Sequence, residues 1–167
     1  LGVNPDAPTL LVTGGSLGAL HVNESMTGAA DALPEGAQVV HLTGRGKDEA
    51  VRAAVEDAGL SDRWHVIDYL TTMEDALAVA DLVVCRSGAG TVAEMEALGL
   101  PCIYVPLPIG NGEQRLNAAD HVAAGGAQLI DDKDFTAEFV RRNVFPLLGS
   151  TRLADMAAAS QSLGRAG

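Results

Sequence analysis

Short apolar runs alternate along the chain with longer stretches in which apolar residues recur at helical spacing. The runs predict strands, and the stretches between them predict helices over 18–33, 47–58, 72–80, 113–124, 136–147 and 151–163, with one more starting at the glycines of 86–94. The predicted strands are Thr9–Thr13, Gln38–Leu42, 64–68, 81–85, 102–105 and 128–130. Continuous apolar strands separated by helices are typical of a parallel sheet covered on both faces. The pattern therefore predicts an α/β fold with a Rossmann-like, doubly wound parallel sheet.

Glycine-rich loops follow the first, second and fourth predicted strands. They contain Gly14-Gly15-Ser16-Leu17-Gly18, Thr43-Gly44-Arg45-Gly46, and Arg86-Ser87-Gly88-Ala89-Gly90-Thr91. In doubly wound folds ligands bind beyond the carboxyl ends of the strands, and a glycine loop that opens a helix presents free N–H groups to an anion. These loops are therefore predicted to share one ligand-binding cleft.

The stretch 86–94 supports two interpretations. Thr91-x-x-Glu94 matches a capping box, in which the two side chains satisfy backbone donors at a helix start. Alternatively, the helix N-terminus binds an anion and Glu94 accepts hydrogen bonds from hydroxyl groups beside it. The residues of this stretch alone leave both open.

Two common nucleotide-binding classes do not fit the glycine loops. The first loop lacks G-x-G-x-x-G spacing, and no acidic residue ends the second strand, where a nicotinamide enzyme would bind the ribose. No lysine follows the glycines as it would in a phosphate-loop NTPase. What remains is a loop that offers backbone N–H groups and the Ser16 hydroxyl to a phosphate or a sugar, or a plain tight turn.

Composition narrows the class of partner. The 167 residues carry a net charge of −11, which argues against nucleic acid and anionic lipid as partners of this surface. No apolar run of about 18 residues or more predicts a membrane span. Cys85 and Cys102 lie in apolar strands and are expected to be buried free thiols in a reducing cytosol. Because the chain begins at Leu1, we expect a piece of a longer protein.

Metal chemistry finds little support in the sequence. The four histidines show no metal-ligand spacing, so core or surface roles are expected for them, and Ser16 has no nucleophile-elbow motif around it. The acidic run 131–134 follows the last predicted strand and is expected to cap a helix. We therefore expect no cofactor and no metal at the cleft.

Several linked motifs together resemble the MurG family of peptidoglycan N-acetylglucosaminyltransferases. The motifs appear in the family's order and spacing from about Thr9 onward: Gly14-Gly15-Ser16-Leu17-Gly18-Ala19 with Asn23, the run 81–94, Gly99-Leu100-Pro101, Val105-Pro106-Leu107-Pro108, and Glu113-Gln114 with Asn117-Ala118. The resemblance implies the C-terminal, donor-binding half of a two-domain GT-B glycosyltransferase. It also implies that residues 1–8 are an interdomain linker remnant, that 9–167 are the UDP-sugar donor-binding domain, and that the N-terminal acceptor domain is absent.

The resemblance also assigns binding roles to residues of this chain. It implies that Glu94 binds the ribose hydroxyls and that the backbone around Ala89, Gly90 and Thr91 binds the diphosphate. Leu70 matches the position whose backbone reads the uracil edge, and Met73 forms part of that pocket. The implied set for UDP-N-acetylglucosamine is Ser16, Leu70, Met73, Gly88, Ala89, Gly90, Thr91, Glu94, Glu113, Gln114 and Asn117. The sequence departs from the family at Glu113, where His or Gln is frequent, and at Leu42, where Gln is common.

The implied chemistry is an inverting transfer of N-acetylglucosamine from UDP-N-acetylglucosamine to lipid I, forming lipid II. This fragment would contain no catalytic residue and would bind donor without transferring the sugar. Lipid I and the membrane would be contacted through the absent domain, which implies a cytoplasmic enzyme peripheral to the cytoplasmic face of the cell membrane. Two alternatives stay open: a non-catalytic UDP-sugar-binding subunit that needs a separate membrane-bound chain, and, less favoured, a GT-B-like epimerase.

Overall fold

Six parallel strands form one sheet in the computed structural model, which describes residues 2–15, 18–108 and 112–166. The strands are β1 (Thr9–Thr13), β2 (Gln38–Leu42), β3 (Trp64–Ile67), β4 (Leu82–Cys85), β5 (Cys102–Tyr104) and β6 (Ala127–Leu129). Their spatial order is β3-β2-β1-β4-β5-β6, and every neighbouring pair is parallel. The doubly wound α/β fold predicted from the sequence is confirmed.

The central strand β1 supplies both cores of the domain. Its side chains alternate, so that Leu10 and Val12 enter one apolar cluster while Leu11 enters the other. All three are fully buried, because helices cover each face of the sheet. This two-sided burial explains why most strands are largely apolar rather than alternating between apolar and polar residues.

Eight α-helices connect and cover the strands of the described chain. They are α1 (Ala19–Thr27), α2 (Glu49–Asp57), α3 (Met73–Val79), α4 (Ala89–Leu98), α5 (Glu113–Asn117), α6 (Ala119–Ala123), α7 (Ala137–Phe139) and α8 (Thr151–Ala166). Side chains of α1, α2 and the first half of α8 enter the first core, whereas those of α3 and α4 enter the second. None of these helices combines the length and apolar character that crossing a bilayer requires.

Three predicted helices are interrupted or change their helical type in the structure. The predicted helix 18–33 is α-helical only to Thr27 and continues as a 3₁₀ turn at Ala30–Ala32. The predicted helix 113–124 is divided into α5 and α6 at Ala118. The predicted helix 136–147 widens to a π-helix over Val140–Val144 and tightens to a 3₁₀ turn at Phe145–Leu147, where Pro146 has no N–H to continue an α-helix.

The two cysteines lie side by side in neighbouring strands. Both are buried and free, as the sequence predicts. A hydrogen bond with Cys102 and burial raise the pKa of the Cys85 thiol, so that this side chain stays protonated and unreactive.

Candidate functional site

Two glycine loops meet at the point where the strand order reverses. β1 and β4 are neighbours in the sheet, but the chain leads from β1 to β2 on one side and from β4 to β5 on the other side. The loop after β1 and the loop after β4 therefore leave the same edge in diverging directions. Such a switch point opens the crevice in which doubly wound folds bind ligands.

The start of α4 faces this crevice. Gly88 is the N-cap, in an extended conformation with φ −62° and ψ 152°, and Ala89 and Gly90 are exposed in the first turn. N–H groups of a first turn have no intrahelical acceptor, and the helix dipole adds partial positive charge there. The backbone of Gly88, Ala89, Gly90 and Thr91 thus has the form of an anion site.

The capping-box interpretation of Thr91 and Glu94 is wrong. A capping box would place Thr91 at the N-cap, but α4 begins at Ala89, and Val92 already donates its N–H to the Gly88 carbonyl at 3.0 Å. Thr91 is therefore the third helical residue and Glu94 the sixth. At that position the Glu94 carboxylate cannot reach an N-cap donor, and its side chain is exposed.

Glu94 lines a groove of about 380 Å³ between α3 and α4, together with Leu77 and Leu98. The residues assigned to the uracil pocket lie at the start of α3. Met73 is its first residue, and Leu70 precedes it in the loop after β3; both are half-buried against the second core. The sheet topology thus brings Leu70, Met73 and the start of α4 to one edge.

The β3–α3 loop also carries an aromatic contact that sequence reasoning missed. The Arg45 guanidinium lies over the exposed Tyr69 ring, 4.0 Å from its centroid. This cation–π contact joins the loop after β2 to the loop that carries Leu70.

Gln114 and Asn117 are held to the β4–α4 loop through Ser87. The Gln114 side-chain carbonyl accepts hydrogen bonds from the Leu107 N–H at 2.8 Å and the Ser87 N–H at 3.3 Å. The Ser87 hydroxyl donates to the backbone carbonyl of Gln114. The Asn117 side-chain amide donates to the backbone carbonyl of Ser87 at 3.0 Å. These contacts fix both side chains beside the β4–α4 loop.

Glu113 and Ser16 are the other two residues of the predicted sugar and phosphate contacts. Glu113 is exposed at the first position of α5, directly after the left-handed Gly112, whose φ is 85°. Ser16 lies outside the described residues. The flanking Gly14 is required by close packing, because a Cβ there would lie 2.7 Å from the Ala19 Cα.

The expectation that the acidic run 131–134 caps a helix is also wrong. It forms a 3₁₀ turn at Asp132–Asp134, and the next helix, α7, is capped instead by the Thr136 side chain, which accepts from the Phe139 N–H. The Asp132 carboxylate accepts a hydrogen bond from Arg86, and Asp131 pairs with Arg115. Tertiary ion pairs, rather than local capping, occupy these two acids.

Two of the four histidines are buried parts of the fold. Trp64 donates its indole N–H to His41 Nδ1 at 3.1 Å, so His41 is neutral and donates through Nε2 to Asn23 Oδ1 at 2.8 Å. Burial lowers the pKa of His41 to about 3. His121 connects Tyr104 to Ser160, and burial lowers its pKa as well. Across the described residues, no three His, Cys, Asp or Glu side chains gather as metal ligands would.

Comparison with known proteins places this geometry in a family. Residues 9–166 match the Glycosyltransferase family 28 C-terminal domain. Two relatives named UDP-N-acetylglucosamine--N-acetylmuramyl-(pentapeptide) pyrophosphoryl-undecaprenol N-acetylglucosamine transferase are similar to the chain. That of Paenarthrobacter aurescens is 49% identical over 98% of this chain, and that of Bifidobacterium adolescentis is 50% identical over 89%. The chain spans only 44% and 41% of their respective lengths.

Solved structures agree with the sequence relatives. MurG of Acinetobacter baumannii superimposes with a TM-score of 0.84 at 30% identity, over 94% of this chain and 45% of that one. WaaG, a glycosyltransferase of lipopolysaccharide biosynthesis, superimposes with a TM-score of 0.71 at 18% identity, over 99% of this chain and 45% of that one, which supports the fold alone. The sheet is thus that of the C-terminal half of GT-B glycosyltransferases, and the chain, a homologue of MurG, belongs to the glycosyltransferase family 28 C-terminal domain.

Proposed function

We propose that this chain is the donor-binding domain, residues 9–167, of an inverting glycosyltransferase that uses UDP-N-acetylglucosamine. The observation that carries the proposal is the convergence of the α4 N-terminus with Gln114 and Asn117, which Ser87 joins at the sheet's switch point. A helix N-terminus suits the diphosphate, and the paired amides suit the sugar hydroxyls. In the longer protein the acceptor is lipid I and the product lipid II, as the names of the similar proteins suggest. With that acceptor, the longer protein would act at the cytoplasmic face of the cell membrane.

The reaction replaces one bond at the anomeric carbon by another. The acceptor hydroxyl oxygen attacks that carbon from the face opposite UDP, the bond to the diphosphate oxygen breaks, and the hydroxyl proton leaves to a base outside this chain. Negative charge collects on the leaving diphosphate. The N–H groups of Ala89, Gly90 and Thr91 oppose that charge from fixed positions, which lowers the barrier without reorganisation.

Glu94 gives the site its preference for a ribonucleotide. Its carboxylate is exposed one and a half turns into α4, beyond the reach of any capping donor. It can therefore accept hydrogen bonds from the two ribose hydroxyls while the diphosphate occupies the first turn. An N–H···O or O–H···O bond to an ionised group contributes about 1.5–3 kcal/mol.

Calorimetry of the chain with UDP, UDP-N-acetylglucosamine and NAD tests this function, with EDTA present in a parallel series. We expect both uridine nucleotides to bind, NAD to bind more weakly, and EDTA to leave the affinities unchanged. Tighter binding of NAD than of UDP would contradict the proposal.

Glu94→Gln is the sharper test of the same site. It should weaken UDP roughly tenfold or more and shift the melting temperature little, because Glu94 caps nothing. Binding of 2′-deoxy-UDP should respond less to the substitution. Glu96→Gln on the same helix serves as the control, and an equal loss of UDP affinity in both variants would argue against a ribose contact.

A further inference from the structure

Arg86 is a buried cation at the end of β4, immediately before the loop proposed to bind diphosphate. Only 8% of the residue is exposed. Its Nε donates to the Gly14 carbonyl at 3.2 Å and its Nη2 to the Gly18 carbonyl at 2.8 Å, at the two ends of the β1–α1 loop. Its Nη1 donates to the Val105 carbonyl at 3.3 Å, at the end of β5. One guanidinium thus connects three strand ends.

The negative partner of Arg86 comes from the far side of the sheet. Asp132, in the turn after β6, accepts from Arg86 Nη1 at 2.5 Å, and the two side chains are only 9% and 19% exposed. The Asp132 backbone carbonyl in turn accepts a hydrogen bond from Nε2 of His21, on α1, at 2.7 Å. Asp132 therefore contacts both Arg86 and the helix that follows the β1–α1 loop.

The hydrogen bonds of Arg86 suit a role in positioning better than direct contact with a ligand. A guanidinium has five N–H groups, and four of those of Arg86 are directed at protein oxygens. The packing around it is tight as well: a Cβ at Gly18, whose φ is 72°, would lie 2.6 Å from Nη2. A cation enclosed in this way fixes the loops around it.

We infer that Asp132 is a positioning residue for the diphosphate site, acting through Arg86. The inference rests on the proposed function. The Asp132 carboxylate orients the guanidinium, and the guanidinium holds both ends of the β1–α1 loop beside the α4 N-terminus. A buried ion pair adds little net stability, but it leaves a costly unpaired charge when one partner is removed. Loss of the carboxylate should therefore displace the loops that surround the phosphates and leave the uracil pocket at the start of α3 in place.

The neighbouring acid provides a matched control. Asp131 pairs with Arg115, but those side chains are 42% and 55% exposed. An ion pair this exposed to solvent contributes little to stability. Asp131→Asn and Asp132→Asn remove the same charge from adjacent residues of one turn. Only the second removes the partner of Arg86.

The experiment measures the affinities of the parent chain, Asp132→Asn, Asp132→Glu and Asp131→Asn for UDP by calorimetry and for uridine by NMR titration, with a melting curve for each. Asp132→Asn is expected to weaken UDP about tenfold and uridine less than twofold, while Asp131→Asn changes neither. Asp132→Glu keeps the charge but lengthens the side chain by one methylene, and a smaller loss confined to UDP is expected. If Asp132→Asn does not fold, the UDP and uridine affinities of Asp132→Glu test the inference instead.

Two outcomes would overturn the inference. One is equal weakening of UDP and uridine, which would assign Asp132 a purely structural role. The other is UDP affinity within twofold of the parent in both Asp132 variants. A parent chain that binds no UDP would instead contradict the proposed function, so the two failures are distinguishable.

Discussion

The two ends of α4 lie in opposite surroundings. At its N-terminus Gly90 is exposed, and a Cβ added there would meet nothing within 4 Å. Beyond its C-terminus Gly99 adopts a left-handed conformation with φ 69°, and a Cβ there would lie 3.0 Å from the Gln161 Cα of α8. The same helix also meets Gly164 of α8, where a Cβ would lie 2.6 Å from the Glu96 carbonyl.

The contrast shows how one helix serves two purposes. Glycine at the open end keeps the backbone accessible to a ligand, whereas glycine at the closed end lets two helix backbones touch. Substitutions at the open end should therefore change affinity without lowering stability, whereas those at the closed end should lower stability without changing affinity.

Ala89→Pro should have the largest effect, and only on binding. Proline removes one N–H from the proposed phosphate site but is tolerated at the first position of a helix, and the extended Gly88 before it suits a proline. We expect the binding free energy of UDP to weaken by about 1.5–3 kcal/mol, which is roughly 10- to 150-fold in Kd by calorimetry.

Thr151→Pro places proline at the same position of α8 and should leave UDP affinity unchanged. Uridine binding to the Ala89→Pro chain should also be unaffected, because uridine carries no phosphate. Loss of uridine binding in that variant would indicate a displaced helix rather than a missing donor.

Gly164→Ala should lower stability and leave UDP affinity intact. Helix propensity alone predicts a gain of about 1 kcal/mol from replacing a helical glycine by alanine. The 2.6 Å approach to a backbone carbonyl predicts instead a loss of about 1–3 kcal/mol, because backbone cannot move aside as a side chain can. Urea unfolding of the parent and the variant measures the sign of the change in the free energy of unfolding.

Gly90→Ala is the counterpart at the open end. A Cβ at this position would meet nothing within 4 Å, so only the higher helix propensity of alanine should act. We expect the free energy of unfolding to rise by up to about 1 kcal/mol. The same substitution would thus have opposite signs at the two glycines. Equal signs would contradict the comparison of the two ends.

The smallest effect concerns the whole sheet rather than either end of α4. The folded pKa of His41 is about 3, below the ordinary 6.5, so the unfolded chain binds more protons between those values. The contribution of neutral His41 to the free energy of unfolding is therefore present above pH 6.5 and is lost as pH falls toward 3. For this histidine the loss from pH 7 to 5.5 is about 1 kcal/mol. Urea unfolding at both pH values checks the size, and His41→Gln should reduce the difference by that amount.

Much of the fold could be predicted from the sequence because its signals are local. The strands are short and largely apolar, and each glycine loop directly follows one of them, so the parallel sheet could be predicted without tertiary information. The capping-box interpretation failed because the N-cap is Gly88, three residues before Thr91. A glycine at the N-cap has no sequence signature as distinctive as Thr-x-x-Glu.

The contacts that join the site could not be predicted in this way. Ser87 and Gln114 are 27 residues apart, and Arg86 and Asp132 are 46 apart. Nothing in the spacing distinguishes an aspartate that pairs with a buried guanidinium from one that caps a helix. The sequence shows an arginine and a serine directly after a strand, but only the structure shows that both are buried and which groups they bind.

The sequence by itself determined the order of the elements, the two-sided burial of the sheet and the glycine loops that follow three of its strands, because these follow from local periodicity and composition. Only the tertiary structure decided where α4 begins, which hydrogen bonds hold Gln114 and Asn117, and that Asp132 reaches Arg86. Those outcomes depend on donors and acceptors brought together from strands distant in sequence, and hydrogen-bond partners are fixed by geometry rather than by composition.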